Sequence, residues 1–249
     1  MPARVTFAFA LTAAALAAAP RRLEGRLHIG GQEHFYLEGM AALAVPGESG
    51  AMTVYSSTQD PAEVQHITAR VLGVPEAMIV VETRRLGGGF GGKESQACQW
   101  AALAALAARI TGRPCKIRLD RDDDFALTGK RHDFRADWQV GFDDDGRLAA
   151  YDVMLNARCG CSVDLSPGVV DRAMFHAANG YFAPAARVDS RRLKTNTVSA
   201  TAFRGFGGPQ GIIAIERAMD AIAHATGRDP LDVRKANLMR PGRDVTPYG

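Results

Sequence analysis

Between residues 87 and 95 the chain reads GGGFGGKES, with glycine at every position from 87 to 92 except Phe90. Glycine loses the most conformational freedom on ordering, so such a run belongs in a loop held by its neighbours. The flanks show where that loop sits. Met78-Ile79-Val80-Val81 reads as a buried strand. Residues 97–110 carry Trp100, Leu103, Ala104, Leu106, Ala107 and Ile110 at helical spacing before Gly112 and Pro114 close the helix. The order strand, glycine loop, helix leaves backbone N–H groups uncovered near a helix start, and the lack of Cβ atoms lets an anionic or polar group approach them. A bound ligand is expected here.

Two short patterns nearly describe the loop. Gly87-x-x-x-x-Gly92-Lys93 matches a phosphate-cradling loop, but Glu94 stands where a Ser or Thr should hold Mg²⁺, and its carboxylate would repel a triphosphate. Gly87-x-Gly89-x-x-Gly92 matches a dinucleotide fingerprint, with Asp120 at the end of the next expected strand, a little beyond the ~20 residues that motif expects. There the chain enters a hairpin instead of a second βα unit. A non-catalytic nucleotide- or anion-binding module is the alternative these patterns leave open.

Along the rest of the chain strands and helices mix without steady βαβ alternation, which predicts an α+β fold of mixed sheets with packed helices. Strands are expected at 33–45, 52–57, 115–119, 134–142 and 147–156, the last two paired around Asp145-Gly146. Asp60, Pro61 and Glu63 predict a capped helix with Val64, Ile67 and Val71 on one face and Gly73 at its end. Pro209 opens a second helix running to about residue 225, and Asp229-Pro230 a short last one. Residues 159–181 read as a loop-rich crossing with one helical turn near 171–177. His34 and Glu38 lack further metal ligands and read as structural.

Composition narrows the class of protein. With 47% hydrophobic and 23% charged residues the chain is globular, and 30 basic against 27 acidic side chains is too balanced for a nucleic-acid partner. The charge runs at 120–124, 130–135, 143–145 and 187–194 read as solvated faces and turns. Cys98, Cys115, Cys159 and Cys161 form no CxxC pair, and a 159/161 spacing puts two thiols on one side of a strand, which suits packing in a reducing compartment. The apolar run 5–19 has some look of a secretory signal and is too short to span a membrane. It is read instead as the start of a truncated chain, with 1–29 as a truncated N-terminal segment and 30–249 as the first part of one larger domain.

Three longer stretches, QEHFYLE at 32–38, GGGFGGKE at 87–94 and TAFRGFGGPQG at 201–211, resemble in this order the molybdenum-cofactor subunit of the xanthine dehydrogenase family. The similarity runs from about residue 17 to about residue 237. It implies oxidative hydroxylation of hypoxanthine or xanthine, towards urate, at a molybdenum–molybdopterin centre. Electrons would leave through 2Fe-2S clusters and FAD on a partner domain or subunit, in the cytoplasm, without a membrane. The resemblance implies that Gln59, Gly88, Gly89, Phe90, Gly91 and Arg204 hold the cofactor. The metal is then bound through the pterin, with Gln59 and Phe90 adjacent. It further implies that Glu94 orients the purine, that Arg172 stabilises charge building on the heterocycle, and that Phe206 packs on the ring, with Glu94 and Arg172 as the catalytic pair. Relatives that oxidise aldehydes tend to carry uncharged residues at both places, and an aldehyde or N-heterocycle oxidase is the alternative within the superfamily. By residue type alone, Gln59 would cap a turn, Arg204 would make a surface ion pair, Glu94 would N-cap a helix, Phe206 would join a core, and Arg172 would pair with Asp171.

The resemblance also implies a catalytic glutamate in a Gly-Glu-Pro segment, later glycine-rich motifs, cysteine clusters and a flavin domain, none of which occurs in these 249 residues. The sequence thus reads as the middle of an enzyme whose remainder lies elsewhere. The isolated chain is expected neither to retain molybdopterin nor to turn over xanthine.

Overall fold

The computed structural model describes residues 3–8 and 12–246. They divide into two compact units, one drawn from residues within 1–31, 132–196 and 205–249, the other from 32–131 and 197–204.

The first unit is built on a 5-stranded sheet of order β1-β9-β8-β7-β2. Its strands are β1 (Ala3–Ala8), β2 (Arg21–Ile29), β7 (Phe134–Phe142), β8 (Leu148–Gly160) and β9 (Ala186–Lys194). Only β8 and β9 run parallel. Phe134, Ala136, Trp138, Val140 and Phe142 alternate into the core, as a strand of period two requires, and meet Val170, Met174, Ile215, Met219 and Ile222 from two helices. These helices are α5 (Ser166–Phe175) and α6 (Gly208–Thr226). A short helix α1 (Thr12–Ala18) buries Leu16 with Ala150 and Ala185, and α7 (Pro230–Asn237) follows its Asp229 cap.

Two of these strands depart from the sequence reading. The basic run 187–194 lies in β9, between β1 and β8, and buries Val188, Asp189 and Ser190. Polar residues on its inner side hid the alternation. β2 was not expected, although Leu23, Leu27 and Ile29 alternate inward against exposed Arg22, Glu24, Arg26 and His28. The segment expected to be a loop-rich crossing contains three turns of helix, with Pro167 near its start, where the missing N–H costs nothing. Residues 9–11 of the apolar run 5–19 fall outside the described residues; the remainder supplies most of β1 and α1. No disulfide joins the described cysteines; Cys159 is buried in β8, while Cys161 lies past its end and is exposed, so the two do not share a strand face.

The second unit holds a 4-stranded sheet of order β5-β4-β3-β6, made of β3 (Ala41–Pro46), β4 (Met52–Ser56), β5 (Ile79–Glu82) and β6 (Cys115–Arg118). α2 (Pro61–Leu72) and α3 (Ala97–Thr111) pack on it. Asp60 accepts the Glu63 N–H at 3.0 Å, and Gly73 ends α2 at φ +66°, both as expected. The strand expected over 33–45 begins only at Ala41, because Phe35 turns the chain at φ +51°. The expected helix faces are also revised. Val71 of α2 is 50% exposed, and α3 presses Ala101, Ala104, Ala105 and Ala108 against β3 while Leu103, Leu106 and Ile110 face outward. Close approach of backbone to sheet selected alanine over the larger apolar residues. The acidic run 120–124 opens a short helix α4 (Arg121–Leu127); Asp120, Asp122 and Asp123 are exposed, as a solvated face requires, while Asp124 is wholly buried.

Candidate functional site

The glycine loop of the second unit is a mirror-image (type I′) turn. The Gly92 N–H reaches the Gly89 carbonyl at 2.8 Å, with Phe90 at φ +55° and Gly91 at φ +96°. Phe90 thus occupies a left-handed position that β-turns reserve for Gly, Asn or Asp, and its side chain is 50% exposed. The first unit repeats the device ahead of α6. Gly208 N–H bonds Gly205 O at 2.9 Å, with Phe206 at φ +46° and Gly207 at φ +93°. A strained, exposed aromatic within a turn is a signature of sites where surroundings over-determine the backbone.

Inside the loop the glycines are required by the protein itself. A Cβ on Gly89 would fall 2.4 Å from Gln59 Oε1, one on Gly92 2.7 Å from the His34 ring, one on Gly87 2.5 Å from Glu38, and one on Gly91 3.0 Å from the backbone of Ala202. The absent side chains therefore let the loop thread against residues 34–38, Gln59 and Ala202. This packing role adds to the expected clearance for a ligand.

The threading fixes which polar groups remain. Gln59 Oε1 accepts from Gly91 N–H at 2.8 Å and Lys93 N–H at 3.3 Å, so its amide nitrogen is left as a donor. Gly91, Gly92 and Lys93 N–H are taken, whereas Gly88, Gly89 and Phe90 N–H have no partner among the described residues. The three open N–H groups follow one another along the chain. Such a set of successive N–H groups fits an acceptor-rich, anionic group.

Arg204 joins this unit through its backbone, its N–H meeting Phe90 O at 2.9 Å. Arg131 sets that backbone by donating to Phe203 O at 3.3 Å and Arg204 O at 2.9 Å while stacking 4.1 Å over the Phe203 ring. The Arg204 guanidinium is exposed and makes no ion pair among the described residues, so it does not serve the surface pairing that residue type alone suggests. Glu94 is half-buried just past the loop, three residues before α3 begins, and so is not its N-cap. His34, held below its ordinary pKa by burial despite its 2.7 Å bond to Ala202 O, stacks edge-on to Phe203. It is structural, as expected.

Arg172 and Phe206 lie together in the first unit. The Phe206 ring covers Gly168 on α5, one turn before Arg172, whose Nε comes within 3.9 Å of a Cβ built on Gly208 at the start of α6. Asp171 pairs with Arg192, so Arg172 keeps an exposed guanidinium with no ion pair among the described residues. α5 and α6 can approach this closely because Gly207 and Gly211 face the carbonyls of Val169 and Ala173, where a Cβ would clash at 1.9 and 2.1 Å. Sequence reasoning missed Lys93, Arg131 and Asp124 as supports of the site. Lys93 carried the one legible signal, a cation inside a glycine loop.

A family model for the molybdopterin cofactor-binding domain matches residues 3–238. The chain is 47% identical over 236 residues to a xanthine dehydrogenase of Drosophila subobscura, covering 95% of this chain and 18% of that protein. It is 47% identical over 227 residues to the xanthine dehydrogenase/oxidase of Gallus gallus, covering 91% and 17%. Among solved structures, an aldehyde oxidoreductase from Desulfovibrio gigas superposes with a TM-score of 0.86 at 29% identity, over 100% of this chain and 27% of that one. The chain thus spans under a fifth of the curated relatives it matches.

Proposed function

Because the chain belongs to the molybdopterin cofactor-binding domain family, we propose that it supplies one wall of the active site of a molybdenum hydroxylase whose substrates are purines, xanthine and hypoxanthine. The observation that carries this reading is the run of open N–H groups at 88–90 beside the Gln59 amide. Gln59 Nε2, the three open N–H groups and the Arg204 guanidinium are the chain's own means of holding the acceptor groups of a molybdenum–pterin. When bound, that cofactor supplies the oxidising capacity for hydroxylation with water as the oxygen source.

The remaining steps belong to side chains. Glu94 accepts a ring N–H of the purine and orients it. Arg172 places positive charge where the heterocycle becomes electron-rich, a contribution on the order of a few kcal/mol for a fixed charged donor. Phe206 stacks on the ring plane. The 2Fe-2S and FAD groups that carry electrons onward, and the base that activates water, come from parts outside this chain. The charged pair Glu94 and Arg172 favours purines over the aldehyde substrate named for the Desulfovibrio relative.

The cofactor half is tested by inserting this segment into the chicken relative in place of its counterpart. With Gly89→Ala, the new methyl displaces the Gln59 carboxamide. The expected result is molybdenum content falling well below one per chain, with α3 amide exchange unchanged. Full molybdenum with unaltered xanthine turnover in Gly89→Ala would overturn the reading.

A further inference from the structure

We propose that Glu38 and Lys93 form a clasp that closes the glycine loop at both ends and thereby presets its open donors. The loop begins at Gly87, whose N–H donates to Glu38 Oε2 at 2.7 Å and whose carbonyl accepts the Glu38 N–H at 3.1 Å. It ends at Lys93, whose Nζ returns to the Glu38 carbonyl at 2.6 Å, to Ser57 Oγ at 2.7 Å, and to within 3.6 Å of Glu38 Oε2. Ser57 in turn donates to Glu38 Oε2 at 2.8 Å. One residue therefore binds both ends of a seven-residue loop, and Gly88, Gly89 and Phe90 lie between the two ties.

The lysine is fully enclosed, with no exposed side-chain surface, whereas the Glu38 side chain is 40% exposed. The Tyr36 ring lies 4.5 Å from the ammonium, and Asp124 holds the same segment from its far side through Tyr36 Oη and Met40 N–H, each at 2.7 Å. A fully buried cation is costly and survives only when its hydrogen bonds are met in full. Here they are met by carbonyl, hydroxyl and carboxylate groups contributed by the 36–40 segment and Ser57. Replacing the cation by an apolar side chain of like length leaves no cavity and releases the loop, while the acceptors it leaves unpaired lower global stability as well. Glu38 and Lys93 are positioning residues, acting through the loop backbone and touching no ligand.

The clasp rests on the proposed function only for what the loop holds, so it is tested in the ligand-free chain, where that reading plays no part. Hydrogen exchange followed by mass spectrometry would compare wild type, Lys93→Met, Glu38→Gln and the double variant. The expected result is exchange of the Gly87 and Gly91–Lys93 amides in Lys93→Met that speeds up at least tenfold more than exchange of the α3 amides. The double variant should exchange no faster than Lys93→Met alone, because both residues serve one closure. Unchanged loop exchange in Lys93→Met would overturn the proposal. So would loop and α3 amides loosening together, since Lys93 would then be ordinary core, and so would additive effects in the double variant.

Discussion

At the residue scale, the informative side chains are those whose simplest local explanation fails. Arg172 was free to pair with Asp171, but Asp171 is taken by Arg192; Arg204 makes no ion pair among the described residues. Gln59 does cap a turn, but by its oxygen alone, which leaves its amide pointing no further into the protein. Phe90 and Phe206 sit in left-handed backbone that glycine would adopt without strain. Such strain costs on the order of 1 kcal/mol or more. Phe90→Gly is therefore expected to leave urea stability unchanged or raise it by up to about 1 kcal/mol, while the segment, placed in a complete enzyme, loses xanthine turnover. Loss of stability in Phe90→Gly would show that the ring is core packing.

At the scale of elements, pattern and turn chemistry were legible where one side of an element is polar and its ends are capped. α2, the β7–β8 hairpin and α6 follow from Asp60, Asp145-Gly146 and Pro209. The legibility ended where the inner side carries small or polar residues. α3 shows this most directly, because periodicity marked Leu103, Leu106 and Ile110 while the buried face is alanine. Ala104→Leu should destabilise by about 1–3 kcal/mol through overpacking. Ile110→Lys should change stability by less than about 0.5 kcal/mol, as exposed substitutions do. Chemical denaturation of both variants checks the orientation, and the reverse order would contradict it.

The α6–α7 contact adds a pH dependence. Burial alone would raise the Glu216 pKa, but hydrogen bonds from Tyr181, Arg234 and Asn179 hold it below the ordinary 4.5. A depressed folded pKa means that this stabilisation is complete above the unfolded value and is lost as pH falls through the folded one. Melting of the first unit should thus drop below about pH 4.5, and the drop should be shallower in Glu216→Gln. An equal acid drop in both proteins would remove Glu216 from the account.

At the scale of the whole molecule, the α+β class and the three motif stretches were legible because they are local, whereas the division into units was not. Both units are discontinuous in sequence, and the boundary after Arg204 separates it from Phe206 within a single motif. Gln59, the glycine turn, Glu94 and Arg204 belong to one unit, and Arg172 and Phe206 to the other. The proposed function requires Glu94 and Arg172 to act on one purine. The direct measurement is kcat/KM for xanthine and for an aldehyde in the chicken relative carrying this segment, as wild type, Glu94→Ala, Arg172→Ala and both. The prediction is a loss on the order of 10²-fold or more with xanthine for each variant, non-additive in the pair, with aldehyde oxidation within about tenfold of wild type. Xanthine turnover that survives either substitution, in protein with full molybdenum content, would contradict it.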